Sequence, residues 1–132
     1  MTWITWPSLI TWLTLILLTA LAFNVGRARS RYDIKAPATT GHPDFERVYR
    51  VQMNTLENVV MFLPALWLAA RYWSPIWAAA CGAAWLVGRI WYARAYARDA
   101  ARRSGGYGLS FLAFVVLFVG AAIGWVRALA LA

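Results

Sequence analysis

The sequence contains few of the side chains that build metal centres and disulfide bonds. Its 132 residues include one cysteine, Cys81, and one histidine, His42. One cysteine forms no disulfide within the chain, and these two residues are too few for a usual metal site, so we expect no metal. Cys81 lies deep in the apolar run "AAACGAAW", and we interpret it as a small buried hydrophobic residue. No glycine-rich phosphate-binding loop is present.

Acidic residues are also scarce, whereas hydrophobic and basic residues are abundant. The chain has 5 acidic and 13 basic residues, a net charge of +8, 62% hydrophobic residues and a mean hydropathy of +0.55. So much apolar surface predicts a membrane protein, and nine tryptophans and six tyrosines suit two lipid–water interfaces. The arginines lie between apolar runs rather than in one patch, so we expect no nucleic-acid partner.

Four apolar segments are roughly long enough to cross a bilayer. The predicted helices cover about residues 3–29, 44–73, 75–102 and 107–129. Their limits rest on Asp44 as a cap of the second helix, on Ser74-Pro75 before the third, and on Ser104-Gly105-Gly106 before the fourth. The first segment has no basic region before its apolar run, so we expect a retained helix rather than a cleaved signal peptide. Residues 1–132 are thus expected to form one all-α domain, a four-transmembrane-helix up-down bundle.

The basic residues predict the orientation in the membrane. The first loop carries Arg27, Arg29, Arg31 and Lys35. The third carries Arg94, Arg98, Arg102 and Arg103. The second loop has only Arg71, and the C-terminus has Arg127. By the positive-inside rule, both basic loops face the cytoplasm and both termini lie on the opposite side.

Polar residues recur at helical spacing in the second and third helices. On the second helix the polar residues are Arg47, Arg50, Asn54 and Glu57. On the third they are Arg89, Tyr92, Tyr96, Asp99 and Arg103. Steps of three and four place each set on one face, and such a face avoids lipid by meeting another helix, another subunit or a wet cavity. One alternative is that Glu57 pairs with Arg50 or Arg89 and only fixes helix packing.

The same side chains also suit a ligand. Guanidinium groups bind carboxylates, Glu57 could hold an ammonium group, and Asn54, Gln52 and the tyrosine hydroxyls could bind amides. The chemistry indicates a small zwitterion with surplus negative charge and peptide bonds. Nearby arginines would also lower the pKa of a ligand thiol from its ordinary value of about 8.5.

The segments "TTGHPDFERVYRVQMNTLE" and "CGAAWLVGRIWYARAYARDAARR" resemble the membrane-associated proteins in eicosanoid and glutathione metabolism, the MAPEG family. The sequence is most similar to its leukotriene C synthase and microsomal glutathione transferase branch, over roughly residues 27–103. The resemblance implies a homotrimer of four-helix bundles. It further implies glutathione as co-substrate between subunits near the cytoplasmic side, and a lipophilic electrophile arriving from the bilayer.

The resemblance also implies individual roles. Arg103 would be the catalytic residue that stabilises the glutathione thiolate, with Arg102 as the alternative because helix ends are uncertain by one or two residues. The implied glutathione-binding residues are Arg29, Arg50, Gln52, Asn54, Glu57, Tyr92 and Tyr96, with Gln52 serving the adjacent subunit. Two positions depart from the leukotriene-synthase pattern: Ser30 replaces a second arginine, and Asn58 replaces a tyrosine.

The implied function is glutathione transfer to lipophilic electrophiles, with glutathione-dependent reduction of lipid hydroperoxides as a second candidate activity. Trp12, Phe111 and Trp125 are candidates for the electrophile pocket, although interface anchoring or lipid contact explains them more simply. One alternative is a non-catalytic lipid-binding scaffold of the same fold. A small multidrug transporter is a further alternative, disfavoured because the first helix has no ionisable residue before Arg27.

Overall fold

The structure is a computed structural model that describes residues 4–132, which form four long helices, one short helix and connecting turns. The long helices are α1 (Thr5–Tyr32), α2 (Pro43–Tyr72), α3 (Pro75–Arg98) and α4 (Ser104–Ala130). A 3-10 helix, Ala100–Arg103, joins α3 to α4. No strand occurs in this part of the chain. The predicted start of the first helix near residue 3 lies outside the described residues.

Side chains that accept hydrogen bonds from backbone N–H groups fix the starts of α2 and α3. Ser74 caps α3 by accepting a hydrogen bond from the Trp77 N–H at 3.3 Å, with Pro75 as the first helical residue, as the sequence predicts. The cap of α2 is His42, whose Nδ1 accepts from the Asp44 N–H at 3.1 Å. The prediction of Asp44 as the cap is therefore wrong. Asp44 lies in the first turn instead and pairs with Arg47.

Helix α3 ends at Arg98, earlier than the predicted residue 102. Asp99 leaves the helix with an extended backbone, and its Oδ1 accepts the Ala101 N–H at 3.0 Å. An aspartate side chain that satisfies a nearby backbone N–H competes with helix continuation, which explains the break. Arg103 consequently lies on the 3-10 helix and not on the α3 face that carries Arg89.

Helix α4 begins at Ser104, so Gly105 and Gly106 are helical and do not form the predicted break before residue 107. A Cβ at Gly106 would lie 2.6 Å from the Gly88 carbonyl oxygen and 2.8 Å from Tyr92 Cα. The two helix backbones approach each other closely because both crossing positions, Gly88 and Gly106, lack a side chain. The glycines thus serve the packing of α4 against α3.

Helices α2 and α3 form the centre of the bundle, and both α1 and α4 pack against each of them. In the core, the rings of Phe62 and Trp85 stack with centroids 3.9 Å apart. The α1–α2 contact also contains a polar tie, because Trp67 Nε1 donates to Thr11 Oγ1 at 3.2 Å. Buried alanines on α2 and α3 let the helices approach, as small residues do in membrane bundles.

Three helical segments are long and apolar enough to cross a membrane: Thr5–Tyr32, Pro43–Tyr72 and Ala100–Ala130. Large apolar side chains on α1 and α4 are exposed on the isolated protomer, among them Trp12, Phe23 and Leu112. Such surfaces suit contact with lipid or with another subunit. Helix α3 falls outside this set, so its passage through the bilayer remains a prediction.

Candidate functional site

The polar residues of α2 and α3 divide into a buried group and an exposed group. The buried group, called here the inner polar cluster, consists of Asn54, Thr55, Arg89 and Tyr92. The Arg89 side chain has 0% exposure, and its Nη2 donates to Asn54 Oδ1 at 2.7 Å and to Thr55 Oγ1 at 2.8 Å. Its guanidinium carbon lies 4.2 Å from the centre of the Tyr92 ring. The two polar faces therefore do meet, through one guanidinium between α2 and α3.

The exposed group begins with Arg50 and Glu57 on α2. Arg50 Nη1 lies 3.9 Å from Glu57 Oε1, and the two side chains are 56% and 58% exposed. Glu57 thus pairs with Arg50 at a long distance, whereas Arg89 takes its partners from Asn54 and Thr55. An exposed ion pair at this separation contributes little to the stability of the fold. Because both side chains are more than half exposed, both charged groups are accessible to a ligand.

A row of aromatic rings connects the inner polar cluster to the 3-10 helix. The rings of Tyr92 and Tyr96 lie 5.5 Å apart, and the Arg103 guanidinium carbon lies 5.9 Å from the Tyr96 ring centre. Arg103 also donates to the Ala100 carbonyl at 3.2 Å, although its side chain remains exposed. The Arg89 guanidinium contacts the Tyr92 ring at the other end of this row. Two guanidiniums, one from α3 and one from the 3-10 helix, therefore lie against the Tyr92–Tyr96 ring pair.

Two further residues of the predicted site occupy different surroundings. Arg29 Nη1 donates to the carbonyls of Ala38 at 2.8 Å and Ile34 at 3.3 Å, and its guanidinium lies over the Phe45 ring. Arg29 thus holds the loop between α1 and α2. Gln52 is half-buried on α2. Positions two apart on a helix do not share a face, so Gln52 points away from the side that carries Arg50 and Asn54.

Arg47, the remaining member of the predicted α2 stripe, has a local role. It pairs with Asp44 in the first turn of α2, and Asp44 also accepts from the Tyr32 hydroxyl at 3.4 Å. Acidic residues are stabilising near a helix N-terminus, and this pair orders the entry to α2. Arg47 therefore belongs to the start of α2 rather than to the Arg50–Glu57 pair.

Sequence reasoning did not identify Thr55, whose hydroxyl is the second acceptor for Arg89. It follows Asn54 directly and is fully buried. A threonine in an apolar helix ordinarily bonds its own backbone, as Thr14 does with the Ile10 carbonyl at 2.8 Å. The available signal was Arg89 itself, an arginine within a largely apolar helical segment, because a buried guanidinium requires several acceptors on the facing helix.

The three aromatic candidates for an electrophile pocket lie in different surroundings on the protomer. Trp12 lines a groove of about 360 Å³ on α1, with Leu15 and Phe23. Trp125 lines a cavity of about 240 Å³ between α2 and α4, with Leu68 and Phe118. The Phe111 ring stacks on Tyr107 at 6.2 Å. Trp12 and Trp125 thus line two different cavities of the protomer.

The accessible groups define the chemistry that this region can perform. The exposed guanidiniums of Arg50 and Arg103 can bind carboxylates or stabilise an anion, and Glu57 can accept hydrogen bonds from an ammonium group. No group of three metal-ligating side chains lies together between residues 4 and 132. The expectation of metal-free chemistry stays a prediction.

The fold and these side chains define an all-helical integral membrane protein with one arginine buried between α2 and α3 and further arginines exposed beside the same helices. The MAPEG family model matches residues 7–123, so this chain belongs to the MAPEG family. It is 53% identical over 116 residues to an uncharacterized protein of Synechocystis sp., covering 88% of this chain and 85% of that protein. It is 37% identical to human microsomal glutathione S-transferase 2, covering 78% of this chain and 70% of the relative. It is 36% identical to bovine leukotriene C4 synthase, covering 87% and 77% respectively.

Proposed function

We propose that this protein is an integral-membrane glutathione transferase that conjugates glutathione to lipophilic electrophiles. The observation that carries the proposal is the exposed Arg103 guanidinium over the ring of Tyr96, which packs on Tyr92, together with the exposed Arg50–Glu57 pair on α2. Glutathione has two carboxylates, one ammonium group, two peptide bonds and a thiol, so it matches this mixture of charges. The relatives named as a glutathione S-transferase and a leukotriene C4 synthase support the same choice.

The proposed active unit is a homotrimer with the binding sites between subunits. Arg50 and Glu57 are more than half exposed on the protomer, yet they lie on a helix apolar enough to cross a membrane. Charged groups that face lipid cost a few kcal/mol each, so a neighbouring subunit and a polar ligand are the more favourable cover. Gln52, which points away from Arg50, would then contact the glutathione bound at the adjacent site.

In the proposed reaction the protein positions glutathione and stabilises its thiolate. Arg103 would act through charge proximity, while Arg50, Asn54, Glu57, Tyr92 and Tyr96 hold the tripeptide, and Arg29 contributes from the end of α1. The thiolate sulfur forms a bond to the electrophilic carbon, and the displaced electron pair leaves with the leaving group or takes up a proton. Positioning together with thiolate formation supplies most of what this chemistry needs.

The same thiolate accounts for a second proposed activity, the reduction of lipid hydroperoxides. There the sulfur attacks the peroxide oxygen, the O–O bond breaks, and an alcohol forms. A second glutathione then completes the disulfide and water is released.

The lipophilic substrate would arrive from the bilayer between α1 of one subunit and α4 of another. In the proposed topology all four helices span the bilayer, both basic loops face the cytoplasm and both termini face the opposite side.

Glutathione binding in detergent, followed by the ultraviolet absorbance of its thiolate, tests this function. We expect saturable binding and a thiolate signal at neutral pH. S-methylglutathione, which keeps every polar group but cannot ionise at sulfur, should bind without that signal. The absence of both binding and signal with glutathione itself would favour a non-catalytic lipid-binding scaffold of the same fold. The transporter alternative stays disfavoured, because α1 has no ionisable residue before Arg27.

A further inference from the structure

Arg89 is a fully buried cation between α2 and α3 that the proposed chemistry does not use. Its side chain has 0% exposure, and the two ion pairs found among residues 4–132 do not include it. Its hydrogen bonds go to the neutral oxygens of Asn54 and Thr55. A buried arginine without a carboxylate partner is costly between two apolar helices. Charged residues kept in such surroundings usually have a function. Its partner Asn54 is a residue of the proposed glutathione site.

The contact fixes the orientation of the Asn54 amide. A guanidinium only donates hydrogen bonds, so the Asn54 atom at 2.7 Å from Arg89 must be the carbonyl oxygen Oδ1. Asn58 adds to this: its Nδ2 donates to the Asn54 backbone carbonyl at 2.8 Å and lies 3.4 Å from Oδ1. The acceptor side of the amide is thereby occupied from two directions.

The donor side of the same amide is free for a ligand. Asn54 is only half-buried, and its contacts with Arg89 and Asn58 end on its oxygens Oδ1 and backbone O rather than on Nδ2. We infer that Arg89 is a positioning residue that makes Asn54 a dedicated hydrogen-bond donor, so that the glutathione atom at Asn54 is a carboxylate or peptide carbonyl oxygen. This inference rests on the proposed function. It also gives a role to Asn58, which stands where the leukotriene-synthase pattern has a tyrosine.

Arg89 reaches the site by a second route through Tyr92. Its guanidinium lies 4.2 Å from that ring, and Tyr92 in turn lies against Tyr96, over which Arg103 is placed. One buried cation therefore supports a donor on α2 and the aromatic row on α3. Apolar side chains of similar volume could fill the space between α2 and α3 without burying a charge. Helix packing by itself therefore explains neither the arginine at position 89 nor its hydrogen bond to Asn54.

The variant Asn54→Asp tests the orientation while retaining the shape and the Arg89 partner. The carboxylate accepts from Arg89 but donates nothing, so glutathione affinity should fall by about tenfold or more, since hydrogen bonds to charged groups are worth 1.5–3 kcal/mol. Thermal unfolding in detergent should remain at the wild-type temperature or higher. Binding as tight as in the wild-type protein would overturn the inference, because Asn54 would then act as an acceptor or not at all.

A double-mutant cycle tests whether Arg89 acts through Asn54. Arg89→Met, Asn54→Ala and the double variant are compared by glutathione binding, and the two single losses should not add. Additive losses would overturn the inference. Should Arg89→Met fail to fold, Arg89→Lys enters the same cycle, and the Asn54→Asp result stands by itself. Thr55→Val is the matched control: it removes the other acceptor of Arg89, so it should lower stability while glutathione affinity stays within about twofold.

The wild-type measurement separates the two proposals. A wild-type protein that binds no glutathione overturns the proposed function and this inference together. A wild-type protein that binds glutathione, beside an Asn54→Asp variant that binds it equally well, overturns only the role of Arg89.

Discussion

The Arg103 guanidinium lies over the ring of Tyr96, 5.9 Å from its centre, and this contact joins the 3-10 helix to α3. Because Asp99 ends α3, Arg103 is carried on a separate short segment and reaches back toward the helix. An exposed guanidinium placed over an aromatic ring keeps its outer N–H groups available. The arrangement suits a group that must meet an anion at the edge of the bundle.

Arg103→Ala should retain much of the glutathione binding but lose the thiolate signal. The remaining contacts still hold the tripeptide, whereas the thiol pKa returns to about 8.5. At neutral pH the conjugation rate should fall by roughly 10²-fold, the usual loss when one stabilising donor is removed. In the wild-type protein the rate should be level at neutral pH and fall only at lower pH. In the variant it should still be rising with pH through about 8.5.

Arg102→Ala is the matched control for Arg103. Both arginines are exposed on the same 3-10 helix, but only Arg103 lies over Tyr96 among the described ring contacts. The control should keep both the thiolate signal and the pH profile. A signal that survives in Arg103→Ala and disappears in Arg102→Ala would transfer the role to Arg102.

Arg50→Gln and Glu57→Gln should each weaken glutathione binding by about tenfold, as expected for lost charge-assisted hydrogen bonds. Their effect on thermal unfolding should be small, because an exposed pair 3.9 Å apart contributes about 0–1 kcal/mol. Titration calorimetry and thermal unfolding in the same detergent measure the two effects. If the variants instead lowered the unfolding temperature and left binding intact, the pair would serve helix packing alone.

Gly106→Val should destabilise the bundle and disturb the tyrosines. A Cβ there would lie within 2.8 Å of Tyr92 Cα, so α4 has to move away from α3. We expect a loss of several degrees in the unfolding temperature together with weaker glutathione binding, since overpacking usually costs about 1–3 kcal/mol. Gly108→Ala is the control, because a Cβ at Gly108 meets nothing within 4 Å. It should be neutral or stabilising by about 0.5–1 kcal/mol, through helix propensity alone.

The sequence predicts the helical segments well because long apolar runs and proline–cap pairs are local signals. Ser74 and Pro75 start α3 as predicted, and helical spacing does bring Asn54 near Arg89. The end of α3 was misplaced because spacing cannot reveal that the Asp99 side chain bonds the Ala101 N–H. Local sequence predicts a break at the glycines before α4, because it cannot show that Gly106 packs closely against α3 in the folded bundle.

Spacing along one helix was also insufficient to assign polar residues to individual partners. Arg47, Arg50, Asn54 and Glu57 recur at steps of three and four, yet Arg47 pairs with Asp44, Asn54 with Arg89, and Arg50 with Glu57. A periodic pattern describes the direction of a side chain only to within part of a turn, whereas hydrogen-bond partners depend on a neighbouring helix. The resemblance to a family supplied roles that periodicity alone left open.

Mixed trimers test whether one site uses residues of two subunits. Gln52→Ala and Arg103→Ala, each expected to be impaired, are coexpressed with different affinity tags, and the doubly tagged trimers are purified. If Gln52 serves the site whose Arg103 belongs to the adjacent subunit, each doubly tagged cyclic trimer has both residues intact at one of its three sites, so about one third of the sites are restored. The thiolate signal and conjugation rate should then exceed those of either parent. Activity no higher than in the parents would place Gln52 and Arg103 in the same subunit's site, and a different oligomer by mass analysis would contradict the proposed trimer.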